Sequence, residues 1–145
     1  MPSPSVTTYD FDMVTATIGS IAVDGFMEGS SISIEHEEDT FTHVTGDDGF
    51  VCRSKTLNRN AKVTLTLMQS SASNDKLAVL HALDRDARNG AGIVPMMIVD
   101  RSGRTLVTSS QCWIARGPDI NFDRVCVGRT WIITATRLEW FAGGN

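Results

Sequence analysis

Apolar and polar residues alternate in short runs along most of this chain, the two-residue period of half-buried strands. Phe11 and Met13 alternate with Asp12 and Val14, and Ile18, Ile21 and Val23 follow, broken by Gly19 and closed by the turn signal Asp24-Gly25. Ile32, Ile34 and His36 alternate with Ser33, Glu35 and Glu37. Gly46-Asp47-Asp48-Gly49 is a tight polar turn between the runs 41–44 and 50–52, which predicts a hairpin. Val63, Leu65 and Leu67, interleaved with Lys62, Thr64 and Thr66, give the cleanest strand signal in the chain. Runs at 94–99 and 105–108, joined by Asp100-Arg101-Ser102-Gly103, predict a second hairpin, with Pro95 marking a strand start or an exposed edge. A short apolar piece, Cys112-Trp113-Ile114, precedes a long final strand from Thr130 to Trp140.

The period changes once. Leu77, Leu80, Leu83 and Ala87 fall on one helical face, with Ser73 or Asn74 as the N-cap and Asp75 in the first turn. Arg88 is placed to pair with Asp84, and Asn89-Gly90 supplies a stop. This predicts a helix at about 74–88. About eight strands and one helix cannot cover both faces of a single flat sheet. The expected class is therefore mainly β: two packed antiparallel sheets, sandwich- or barrel-like, with the helix flanking. At 145 residues the chain is expected to be a single domain, 1–145. Residues 1–9 read as a loose arm, and 45–60 as an extended hairpin or loop used between subunits.

Composition narrows the functional classes. The 41% hydrophobic and 21% charged content excludes a disordered chain. A net charge of -4 argues against a protein that grips nucleic acid by its phosphates. No apolar run reaches membrane-spanning length, and MPSPSVTTYDFD has neither the basic region nor the apolar core of a secretion signal. The 3 cysteines include no Cys-x-x-Cys, which speaks against zinc; Cys112 reads as a small buried hydrophobe. Glu35-His36-Glu37-Glu38-Asp39 is the densest charge run, but on a strand only alternate residues share a side, so it reads as a solvated acidic face. No Gly-x-Ser-x-Gly elbow, His-Glu-x-x-His or phosphate loop occurs, and Gly46–Gly49 lacks the spacing of a calcium loop. The residues give no catalytic, cofactor or metal site, and no enzyme is expected. Arg53, Lys55, Arg59 and Lys62 form a weakly basic stretch without aromatics, read as a mobile charged loop that meets another subunit.

Several stretches together resemble the tail tube proteins of contractile-tailed bacteriophages. They are Gly25-Phe26 with Gly29, Ile32-Ser33-Ile34 leading to Glu38-Asp39, Gly46 and Gly49, and Arg53-Ser54. They continue through Asn58-Arg59, Val63 to Leu67, Gln69-Ser70 leading to Ser73-Asn74-Asp75, then Trp113, Pro118 and Gly128-Arg129-Thr130-Trp131. Their order, from about residue 18 onward, carries the resemblance. It implies two antiparallel sheets with a lateral helix, and hexameric rings stacked into a tube that carries genome DNA to the host. It also implies partners in the tail sheath, tape measure, baseplate and tail terminator proteins. The location implied is the virion, after assembly in the host cytoplasm. The tube of a phage-like machine, a pyocin or type VI secretion apparatus, is the alternative within this class. A small β-barrel ligand-binding module or enzyme is the alternative outside it. Because Ile32 and Ile34 need a core, Ser33, Glu35 and Glu37 are expected to face water, and the lumen is the surface where carboxylates keep DNA from sticking. Asp47, Asp48, Arg53, Arg59 and Lys62 are the expected inter-subunit contacts.

Overall fold

The computed structural model describes residues 6–29 and 31–144. The expected N-terminal arm falls partly outside them; Val6 to Asp10 are exposed and carry no regular structure. Phe11–Met13, expected in a strand, form a 3-10 turn whose first N–H groups are met by Asp10, its carboxylate accepting from the Asp12 amide at 3.0 Å. The alternation Phe-Asp-Met was real but too short to outweigh that local cap.

The strands are β1 (Val14–Ile18), β2 (Ile21–Val23), β3 (Ile32–His36), β4 (Phe41–Thr45), β5 (Val51–Lys55), β6 (Ala61–Met68), β7 (Val94–Asp100), β8 (Leu106–Arg116), β9 (Gly128–Thr136) and β10 (Glu139–Phe141). They form the two antiparallel sheets that were expected, divided unequally. The larger has eight strands in the order β2-β1-β7-β8-β9-β6-β3, with β10 on β8; the smaller is β4-β5 alone. The alternation of β6 is realised in full: Val63, Leu65 and Leu67 are completely buried. They join Ala16, Ile18, Met96, Ile98, Cys112, Trp131 and Ile133 in one core cluster. A single cluster fed by strands from one end of the ladder to the other means that the large sheet curves around its core. Bulges provide the curvature: the register shifts between Val94 and Met96 on β7, and between Ile114 and Arg116 on β8. Pro95 lies at the first shift, in the opening residues of β7, so it stands at the strand start that was expected and the bulge lets an interior strand carry it.

Three predicted boundaries move. The runs predicted at 105–108 and 112–114 merge, from Leu106 on, into one eleven-residue strand, β8. The final strand breaks at Arg137, whose φ is 49°, and the break turns Leu138 into the core at 2% exposure. β10 then resumes the same register on β8. The helix α1 is Ser73–Asp86, ending before the expected 88 because Ala87 is extended.

Neither Ser73 nor Asn74 caps α1. Ser73 Oγ donates to Asp24 Oδ1 at 3.0 Å and accepts from the Asp24 amide. Asn74 Nδ2 donates to the Met68 carbonyl, and its Oδ1 accepts from buried Trp131 Nε1 at 2.9 Å. These bonds set the roll of the helix. Leu77 is fully buried and Leu80 half-buried, whereas Leu83, expected on the same stripe, is turned out and 58% exposed. Asp84 does not pair with Arg88; its carboxylate accepts from the amides of Ala91 and Gly92 and fastens the chain leaving the helix.

Candidate assembly surfaces

β3 and β6 pair directly, and the pairing does not stop at the sheet. Beyond His36–Ala61, the Glu37 amide donates to the Asn60 carbonyl, and the Thr56 amide to the Thr40 carbonyl. β4 and β5 then continue the ribbon from Phe41–Lys55 to Thr45–Val51. The hairpin is thus the outer half of one long β-ribbon, an arm reaching up to roughly 30 Å past the sheet at about 3.3 Å per residue. It leaves the sheet where β9 ends, as the turn at Arg137 takes the chain towards β10. Its tip is a short turn: the Gly46 amide donates to the Phe50 carbonyl, Asp48 Oδ1 accepts from the Phe50 amide, and Gly49 takes a φ of 86° that favours glycine.

Every residue of β4 and β5 is exposed, including Phe41, Val44 and Val51, and Phe50 at the tip is 78% exposed. Within the arm, the Arg53 guanidinium lies 4.0 Å from the Phe41 ring centroid. An isolated two-stranded hairpin is marginal in water, so an arm with apolar side chains and no cover is built to meet something.

The structure separates the residues predicted to act together. Asp47 and Asp48 are at the tip and Arg53 is midway along the arm. Arg59 and Lys62 belong to its root: Arg59 ion-pairs with Glu139 at 3.2 Å on the surface, and Lys62 stands opposite Glu35 in the β3–β6 ladder. The stretch 53–62 is thus part strand and part root, where a mobile loop was expected. Ser33 and Glu35 are exposed on the face of β3 away from Ile32 and Ile34, and exposed Glu37 follows the strand. Glu35 and Glu37 share a shallow depression with Lys62, Ile132 and Thr134. At the arm root, His36, Glu37, Glu38, Asp39 and Lys55 border an open cleft of about 570 Å³, and His36 packs on Trp140 with ring centroids 4.8 Å apart. Among the described residues no three His, Cys, Asp or Glu side chains gather as a metal-binding group. Cys112, buried in the core, has its thiol pushed up to about 11 by desolvation, which leaves it protonated and unreactive.

Sequence reasoning missed two exposed apolar surfaces. One is the outer flank of α1, where Val79 and Leu83 accompany Ile21 and Leu80. The other is the segment 117–127, which has no regular structure and exposes Ile120, Phe122 and Val125. Its signal was present, three bulky apolar residues between the strands predicted at 112–114 and from Thr130.

A family model described as the bacteriophage PhiTE tail tube protein matches residues 6–143. "Structural protein ORF10" of Pseudomonas phage KPP10 is 38% identical over 144 residues, covering 95% of this chain and 83% of that protein. Two solved structures are similar in fold. A chain of the anti-feeding prophage cap, which terminates its tube, aligns with a TM-score of 0.61 at 11% identity over 97% of this chain and 95% of that one. A chain of the sheath-tube complex of the PVC extracellular contractile injection system, in the extended state, aligns with a TM-score of 0.60 at 11% identity over 93% and 92%.

Proposed function

The chain belongs to the bacteriophage PhiTE tail tube protein family, and on that premise we propose that it forms hexameric rings, stacked into a hollow tube whose lumen conducts genome DNA into the host cell. It is a structural protein of the phage tail and not an enzyme. The single observation that carries the stacked assembly is the arm 41–55, a fully exposed ribbon with apolar side chains and no cover among the described residues.

In this reading Asp47, Asp48 and Arg53 contact the next ring, with Arg59 and Lys62 holding the arm root. The two outer strands of the large sheet, β2 and β3, are short and carry unpaired edges. Joining them to neighbouring subunits removes those edges and closes a ring. Ser33, Glu35 and Glu37 line the lumen. Their carboxylates repel phosphate, partly offset by Lys62, so DNA slides without binding. The sheath, tape measure, baseplate and tail terminator proteins are the further partners, and assembly takes place in the host cytoplasm before the tube is carried in the virion.

Electron microscopy of the purified chain tests this reading. Six-fold rings and tubes with Glu35 on the inner wall are expected. A monomer that never associates at high concentration overturns the assembly, and a tube with Glu35 on its outer surface overturns the lumen assignment.

A further inference from the structure

The two ends of the large sheet present different, unpartnered surfaces. β6 and β9 pair from Ala61–Ala135 at one end to Met68–Gly128 at the other, about 23 Å apart at strand spacing. The arm enters at the first end, since its root leads into Ala61. The segment 117–127 enters at the second, immediately before β9.

That segment is anchored. Arg116 pairs with Asp119 at 3.1 Å, the Gln69 amide donates to the Val127 carbonyl, and the Val127 amide donates to Gln69 Oε1. On this fixed base Ile120, Phe122 and Val125 are 63%, 86% and 70% exposed. The arm tip exposes Val44, Phe50 and Val51. The tip is acidic through Asp47 and Asp48, whereas on the loop Asp123 and Arg124 offset each other and Asp119 is paired with Arg116, so the apolar side chains carry the match. A surface that meets its own copy closes a dimer and stops. Two different complementary surfaces at opposite ends add copies without limit along one direction.

We propose that loop 117–127 is the acceptor on which the arm tip of a second, stacked copy of this chain docks, with Phe50 and Val44, which alternation places on one face of the hairpin, covering Phe122 and Val125. This rests on the stacking of rings proposed above and names the surface that the arm meets. It also accounts for why both surfaces are apolar although neither has cover within its own subunit.

The native cysteines provide the test. Cys52 is exposed on the arm, Cys126 is exposed at the end of the loop, and Cys112 is buried. Tubes of the purified full chain, treated with a short bis-maleimide, are expected to yield a ladder of linked multimers containing a Cys52–Cys126 peptide. The ladder is lost in Cys52→Ser and in Cys126→Ser. Phe122→Asp is expected to lower tube yield more than about ten-fold, because the lost contact repeats around each ring. Its melting curve stays that of the wild type, since Phe122 touches little in its own chain. Tubes in which Cys126 links only to itself or not at all, or normal tubes from Phe122→Asp, overturn this pairing while leaving the stacking itself intact. A wild-type chain that forms no stack under any condition overturns both.

Discussion

The arm 41–55 and strand β6 are separated by only a few residues and are both regular antiparallel β-structure, yet they have opposite surroundings. β6 buries every second side chain, with Val63, Leu65 and Leu67 out of contact with water. No residue of β4 or β5 is buried on either face. The difference lies in what stands beside each ribbon. β6 is flanked by β3 and β9 and lies over the core, whereas β4 and β5 have only each other. Backbone pairing can therefore be complete without contributing a core. One segment stabilises the subunit, and the other is left for contacts between subunits.

Mutations on the two sides of this divide separate stability from assembly. Leu65→Ala removes a fully buried side chain from a strand held on both sides, and is expected to cost about 2–5 kcal/mol in denaturant unfolding. Asn74→Ala strands buried Trp131 Nε1 without its acceptor and is expected to cost about 1–3 kcal/mol, with a shifted tryptophan fluorescence maximum. If it costs nothing, the link between α1 and β9 does not set the helix roll.

Thiol chemistry sharpens the contrast without a mutation. Cys52 on the arm and Cys126 are expected to label in the native subunit at neutral pH, and Cys112 only after unfolding. The folded state raises the Cys112 value from 9.0 to about 11. The unfolded chain therefore releases that proton first, and this contribution to stability is complete below about pH 9 and declines as pH rises towards 11. Unfolding midpoints of Cys112→Ala measured across that range should lose this part of the slope. The smallest effect is expected on the arm. Arg53→Ala removes the contact with Phe41 and should change global stability by less than about 0.5 kcal/mol, while amide exchange in 41–55 accelerates. A large global loss would mean that the arm and the core fold as one unit.

Much of the fold was legible in the chain because period is a local property. The alternation around Val63 to Leu67 and around Ile32 to His36 predicted strands that the structure contains, and Gly46 to Gly49 predicted the hairpin turn. Leu77 to Leu83 predicted the one helix, whose end at Asp86 came early. The assembly surfaces were less legible. The acidic and basic residues of the arm drew notice by their charge, while Val44, Phe50, Phe122 and Val125 did not, because an apolar residue carries no mark of whether it is covered.

The amino-acid order by itself determined the class of the molecule: a β-rich chain with one helix, tight turns at its glycines, and no motif of known chemistry. Only the tertiary structure decided which apolar residues are spent on the core. Leu77 and Leu83 stand about 120° apart around the helix at 3.6 residues per turn, and bonds from Ser73 to Asp24 and from Asn74 to Trp131, partners about fifty residues away in the chain, fix the roll that turns one inward and the other outward. A left-handed residue at Arg137 likewise moves Leu138 into the core and leaves the arm without a neighbour beyond β9. Periodicity records how side chains are spaced along one element. Burial depends on what another element, distant in the chain, places opposite it.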